Sequence, residues 1–215
     1  MPNIPYRVRL LASLMALSIL SGCFLAIRFG LLRMGWYVFI NWNLFLAWIP
    51  LGLSLYFEQL TFRPSPPKCK LLAVGSAWVL FFPNAPYVIT DLIHIQNTTQ
   101  IPLWHDAIMI FCYALASLFC GLLSYHWMNQ SMQRIFPIWS RYVMMVVLPL
   151  AGFGIYLGRV KRLNSWHLIT KPKLLIQLIS ESLVSRQALL MTIEFSFLIG
   201  FCYLLLLSLM KIERN

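Results

Sequence analysis

The chain has 215 residues, 60% of them hydrophobic and only 11% charged, with a mean hydropathy of +0.75. Soluble domains carry roughly 25% charged residues, so these totals exclude a water-soluble fold. The net charge of +11 sits between apolar runs and forms no aromatic-interleaved soluble surface, which excludes nucleic acid as a partner and points to a lipid bilayer with anionic headgroups.

Six apolar segments follow in chain order, each near the length of about 20 residues that a bilayer requires. They run from Leu10 to Phe29, Trp36 to Phe57, Leu71 to His94, Leu103 to Met128, Ile138 to Gly158 and Leu189 to Met210. The fold class is therefore all-α, a polytopic membrane helical bundle forming a single integral membrane domain over residues 1–215. Orientation stays open, because six full spans divide the basic residues almost evenly between the two sides. In the first segment, Leu20-Ser21-Gly22-Cys23 resembles a lipoprotein cleavage site. The apolar run continues through Ile27, however, so an uncleaved span is the expectation.

The third segment departs from the others. Pro83 and Pro86 each lack a backbone donor and crowd the preceding turn, so a straight helix cannot pass through them. The sequence predicts a span broken at these prolines, with a re-entrant segment as the alternative. Asn84, Asp91 and His94 follow at a depth where polar groups are costly and tend to be functional. In both arrangements the region from Asp91 to Asp106 and the region from Arg159 to His167 share one membrane face.

The fourth span opens on Trp104-His105-Asp106, where the helix dipole favours a carboxylate and capping is the plain role for Asp106. Asp91, His94, His105 and Asp106 together offer two carboxylates and two imidazoles, which are ligand types for a divalent metal. No HExxH or CxxC spacing accompanies them. The alternative is a hydrogen-bonded network that holds the break together. Asp91, His94 and Asp106 are also the candidates for proton exchange.

The fifth span ends in Gly154-Ile155-Tyr156-Leu157-Gly158-Arg159, whose paired glycines let helices approach closely. Asn84, Tyr87, Arg159, Arg162, Asn164 and Trp166 are the candidate substrate-binding residues. The two arginines suit a phosphate or carboxylate, and snorkelling to headgroups is their commoner use. Pairing of Arg159 with Asp91 or Asp106 is open. Beyond Pro172, Leu174, Leu175, Leu178, Ile179 and Leu183 fall largely on one side, predicting an interfacial amphipathic helix around 172–184 or a loop helix packed on the bundle. Asn41 and Asn43 read as helix glue. Glu194 is an intramembrane acid without a nominated partner. Cys112 and Cys120 share a helix face, but eight residues rise about 12 Å, too far for a disulfide. The cysteines read as buried, inert thiols.

The words Phe82-Pro83-Asn84-Ala85-Pro86-Tyr87, Thr90-Asp91-Leu92, His94, Trp104 with Asp106, the Gly154 to Arg159 run and Asn164-Ser165-Trp166 resemble a bacterial membrane-protein family, domain of unknown function 1361. The resemblance implies a multi-pass protein of the bacterial plasma (inner) membrane and brings no established activity. Three functions stay open on the sequence. The first is an enzyme acting on a lipid or headgroup with a metal or proton-exchanging residues, and the second is a transporter using the broken span. The third is a non-catalytic assembly protein.

Overall fold

The computed structural model describes residues 5–32, 37–97, 103–163, 170 and 172–212. The described residues are mostly helical, with no strand among them. In order they form α1 (Tyr6–Leu32), α2 (Val38–Thr61), α3 (Lys68–Phe81), α4 (Asn84–Tyr87), a 3-10 helix (Val88–Asn97), α5 (Leu103–Ile135), α6 (Pro137–Arg159), α7 (Pro172–Leu183) and α8 (Arg186–Ile212). Six stretches are long and apolar enough to cross a membrane: Tyr6–Gly30, Val38–Thr61, Lys68–Ile95, Leu103–Ile135, Pro137–Arg159 and Arg186–Lys211.

α5 is the axis of the bundle. Its 33 residues make a rod of about 50 Å, and 61% of its most apolar window is buried, against 17% for α1 and 11% for α8. The outer helices therefore give their apolar surface to the surroundings, as lipid-facing helices do. Polar bonds stitch the centre. Trp78 Nε1 donates to Ser124 Oγ at 2.7 Å, and Ser124 Oγ donates to the Pro50 carbonyl at 2.8 Å, which joins α2, α3 and α5 across one serine.

The third span is interrupted, but it does not unwind. The α-helical pattern stops at Phe81, Phe82 and Pro83 form a turn, and the chain stays helical through α4 into ten residues of 3-10 helix. Proline's fixed φ suits a right-handed turn, and its missing N–H costs little where a helix begins. Pro83 is the residue before α4, with φ −57° and ψ −26°, and Pro86 lies inside it. The break is thus a change of helix type. The path Lys68–Ile95 covers 28 residues and is long enough to cross, as the span reading requires.

Helix type matters for the side chains. A 3-10 helix has three residues per turn, so positions three apart eclipse one another. Val88, Asp91 and His94 consequently stack on one side, Tyr87, Thr90 and Ile93 on the second, and Ile89, Leu92 and Ile95 on the third. An α-helix would also put Asp91 and His94 on one face, about 60° apart; the 3-10 helix brings them directly into line.

The cysteines are all free, Cys112 and Cys120 as their spacing implied, but only Cys120 is buried; Cys23 and Cys69 are exposed, Cys69 in the first turn of α3. A helix, α7, forms where one was expected; it turns Leu175, Leu178, Ile179 and Ser182 toward the protein, while Leu174 and Leu183 of the expected apolar side stay exposed, as does Ile176.

Candidate functional site

Two glycines on α6 set the site. A Cβ on Gly154 would lie 2.7 Å from Pro83 Cγ, and one on Gly158 would lie 3.2 Å from Tyr87 Cε2. Glycine at both places therefore lets α6 dock directly on the proline break. Arg159 follows Gly158 as the last residue of α6, where a cation opposes the negative helix end. Close docking delivers it to the stacked side of the 3-10 helix.

Arg159 Nη2 donates to Asp91 Oδ1 at 2.9 Å and also to the Thr90 carbonyl, while Nη1 lies 3.3 Å from His94 Nε2. A guanidinium offers only donors, so His94 Nε2 accepts, and its neutral tautomer carries the proton on Nδ1. The other carboxylate oxygen, Asp91 Oδ2, accepts from Asn43 Nδ2 on α2 at 2.8 Å. The guanidinium carbon stands 5.3 Å from the Tyr87 ring centroid, within range of a cation–π contact. Arg159 Nε is buried without a partner.

Two spaces meet at Tyr87 and Gly158 beside this pair. On the inner side is a cavity of about 160 Å³ whose lining includes Trp42, Asn43, Asn84, Tyr87, Gly158 and Leu175. Asn84 also ties the break itself, with Nδ2 donating to the Phe81 carbonyl at 2.9 Å. On the outer side is an open vestibule of about 530 Å³ lined by Tyr87, Ile93, His94, Gly158, Arg159 and Arg162. Tyr87 and Gly158 line both. The ends of the pair are not equivalent: the Arg159 side chain is 21% exposed and the Asp91 side chain 1%. Arg162 beside it has φ 55°, the one positive φ outside glycine among the described residues. That conformation costs an L-residue roughly 1–2 kcal/mol and usually goes to glycine after a helix.

The remaining predicted residues lie elsewhere. Asp106 is fully buried and pairs with Arg28 of α1, whose Nε donates to Oδ1 at 2.7 Å and Nη2 to Oδ2 at 3.4 Å. The Arg28 guanidinium lies 4.3 Å from the Tyr37 ring centroid. Asp106 is thus the anion of a buried ion pair and not simply a helix cap. The His105 ring meets Phe24 edge-on at 6.1 Å, with Nε2 buried and unpartnered. Asp91, His94, His105 and Asp106 therefore do not converge. Among the described residues no three of His, Cys, Asp and Glu stand close enough to share a metal ion. Asn164 and Trp166 lie outside the described residues. Of the two partners open for Arg159, the structure gives Asp91, so the broken span and the end of α6 do meet at one face.

Three contributors were missed in the sequence. Asn43 reads there as helix glue yet caps the Asp91 carboxylate. Arg28 was not singled out there. Tyr37 links the Arg28 pair to the 3-10 helix, holding Arg28 on its ring while its hydroxyl donates to the His94 carbonyl at 2.9 Å. The usable signal was Arg28 itself, since an ionisable residue within a span demands a partner.

The model of a protein of unknown function, DUF1361, matches residues 42–202. The chain belongs to the DUF1361 family. The matched stretch contains Asn43, Asn84, Tyr87, Asp91, His94, Arg159 and Arg162, and with them the described lining residues of both spaces at the DUF1361 site. No curated protein and no solved structure matches the chain.

Proposed function

We propose that this DUF1361 chain is a multi-pass protein of the bacterial plasma membrane that binds the anionic headgroup of a membrane amphiphile in the vestibule at Arg159 and Arg162. The observation that carries this reading is the asymmetry of the pair, whose cation is 21% exposed to the vestibule while its anion is 1% exposed. An arriving phosphate or carboxylate meets the guanidinium fork first, and bidentate recognition of such groups is what arginine does best. Arg162 adds a second positive charge on the same lining. Asp91 holds Arg159 in place when no ligand is present and gives way in part when one binds. His94, stacked one 3-10 turn from Asp91, is the group positioned to exchange a proton with a held headgroup.

Short-chain phosphatidate and short-chain phosphatidylcholine, titrated against the purified protein by calorimetry, test the reading. Phosphatidate should bind preferentially, and Arg162→Gln should weaken it about tenfold, which is ~1.4 kcal/mol. Equal binding of the two lipids, or an unchanged affinity in Arg162→Gln, would contradict it.

Permeation is the second reading, favoured by one observation: Tyr87 and Gly158 line both the inner cavity and the vestibule. Under it the Arg159–Asp91 pair is a plug in a discontinuous span. Flux of phosphate into proteoliposomes that rises in Asp91→Asn would support it, and no flux in either protein would remove it.

A further inference from the structure

At the other end of the bundle, α3 and α6 draw apart. They are pinned together near Pro83 and Gly154, and between that pin and the far end lies an apolar groove of about 630 Å³. One wall is α3 from Lys68 to Val79, the other is the start of α6, and the floor is α5. We propose that this groove holds one acyl chain of an anionic phospholipid, with the headgroup at Lys68. The site is separate from the vestibule and does not depend on the function proposed for it.

Three observations select that occupant. The first is length. The eleven steps from Lys68 to Val79 rise about 17 Å, close to the depth of one leaflet of a core ~30 Å thick. The second is the chemistry of the wall. Met128, Met132 and Met144 line it, and methionines adapt to flexible apolar partners. Its volume falls within the range of about 300–1,000 Å³ seen for small-molecule pockets. The third is charge. Lys68 lies on the lining, and Arg63, Lys70, Arg134 and Arg141 belong to the same end, where Glu58 is the one acid among the described residues and is engaged by Arg7 at 2.7 Å. A surface lysine near anionic lipid is worth about fivefold in affinity. A headgroup at Lys68 therefore meets uncompensated positive charge, and its chain runs along α3 toward the proline break.

Photo-crosslinking decides the matter. The protein is placed in phosphatidylcholine nanodiscs with a minor fraction of phosphatidylglycerol carrying a diazirine in its acyl chain. Adducts are then mapped by mass spectrometry. They should fall on Met128, Met132 and Met144. Gly75 lines the groove, and a Cβ there would meet only Phe57 Cε2 at 3.6 Å, so Gly75→Phe should fill the space and lower these adducts about tenfold. Lys68→Glu, at an exposed position, should lower them about fivefold without touching the walls, and it keeps the test informative if Gly75→Phe does not fold. Adducts confined to the outward faces of α1 and α8, or undiminished in both variants, would overturn the proposal. So would labelling of equal extent from a phosphatidylcholine probe, or a dimer whose α3–α6 face crosslinks to a second copy and takes no lipid.

Discussion

At one end of the bundle Arg28 meets Asp106 with side chains 3% and 0% exposed, while Arg159 meets Asp91 with 21% and 1%. The residue types are identical, and both pairs include a nitrogen 2.9 Å or less from a carboxylate oxygen. The difference lies in where the cation stands. Arg28 is deep in the bundle, sandwiched between Asp106 and the Tyr37 ring. Arg159 sits on the last residue of a helix, in the wall of a vestibule. A sealed pair can only hold helices in register, whereas a pair with an accessible cation can exchange its internal anion for an external one. Tyr37 packs on Arg28 and donates to the backbone carbonyl of His94, so one side chain ties the sealed pair to the 3-10 helix that carries Asp91.

Substitutions should separate the two, beginning with the sealed pair. Asp106→Ala leaves the Arg28 charge buried and uncompensated, and should cost about 3–5 kcal/mol in denaturant unfolding in detergent. A neutral effect would mean that the sealed pair contributes nothing to the bundle. Arg159→Ala should cost less, about 1.5–3 kcal/mol, because removing the vestibule-lining guanidinium opens Asp91 to vestibule water. Adding Asp91→Asn should restore much of that stability while headgroup binding stays lost; binding that returns with stability would assign the open pair a purely architectural role. Gly154→Ala forces a methyl to 2.7 Å from Pro83 and should cost about 1–3 kcal/mol by overpacking. It should also weaken binding, since it moves Arg159 away from the 3-10 helix. The smallest effect is expected for Asn43→Leu, about 0.6 kcal/mol for one interhelical hydrogen bond, again read by unfolding.

How much of this was legible beforehand follows from what each feature depends on. The spans are legible because hydropathy is a local property, and the break because two prolines three residues apart do not allow one continuous α-helix. The close approach of α6 was readable in the four-residue spacing of Gly154 and Gly158. What replaces the α-helix after Pro86 was not, since a ten-residue 3-10 helix is an unusual solution selected by packing on α5 and α2 rather than by the residues within it. Arg28 and Asp106 are 78 positions apart, and nothing local relates them. Grouping Asp106 with Asp91 by chain proximity therefore joined residues that the fold directs to different partners. Asn43 was hidden for a related reason: an asparagine in a span looks the same whether it joins helices or caps a carboxylate.

Arginine modification by a phenylglyoxal, mapped by mass spectrometry on the protein in bilayers, compares the two pairs in one experiment. Arg159 should react and be protected by an anionic short-chain lipid but not by a zwitterionic one, while Arg28 stays unmodified until the protein unfolds. Equal reactivity at Arg28 and Arg159, or reaction at Arg159 that no anion slows, would contradict the distinction between a sealed pair and an open one.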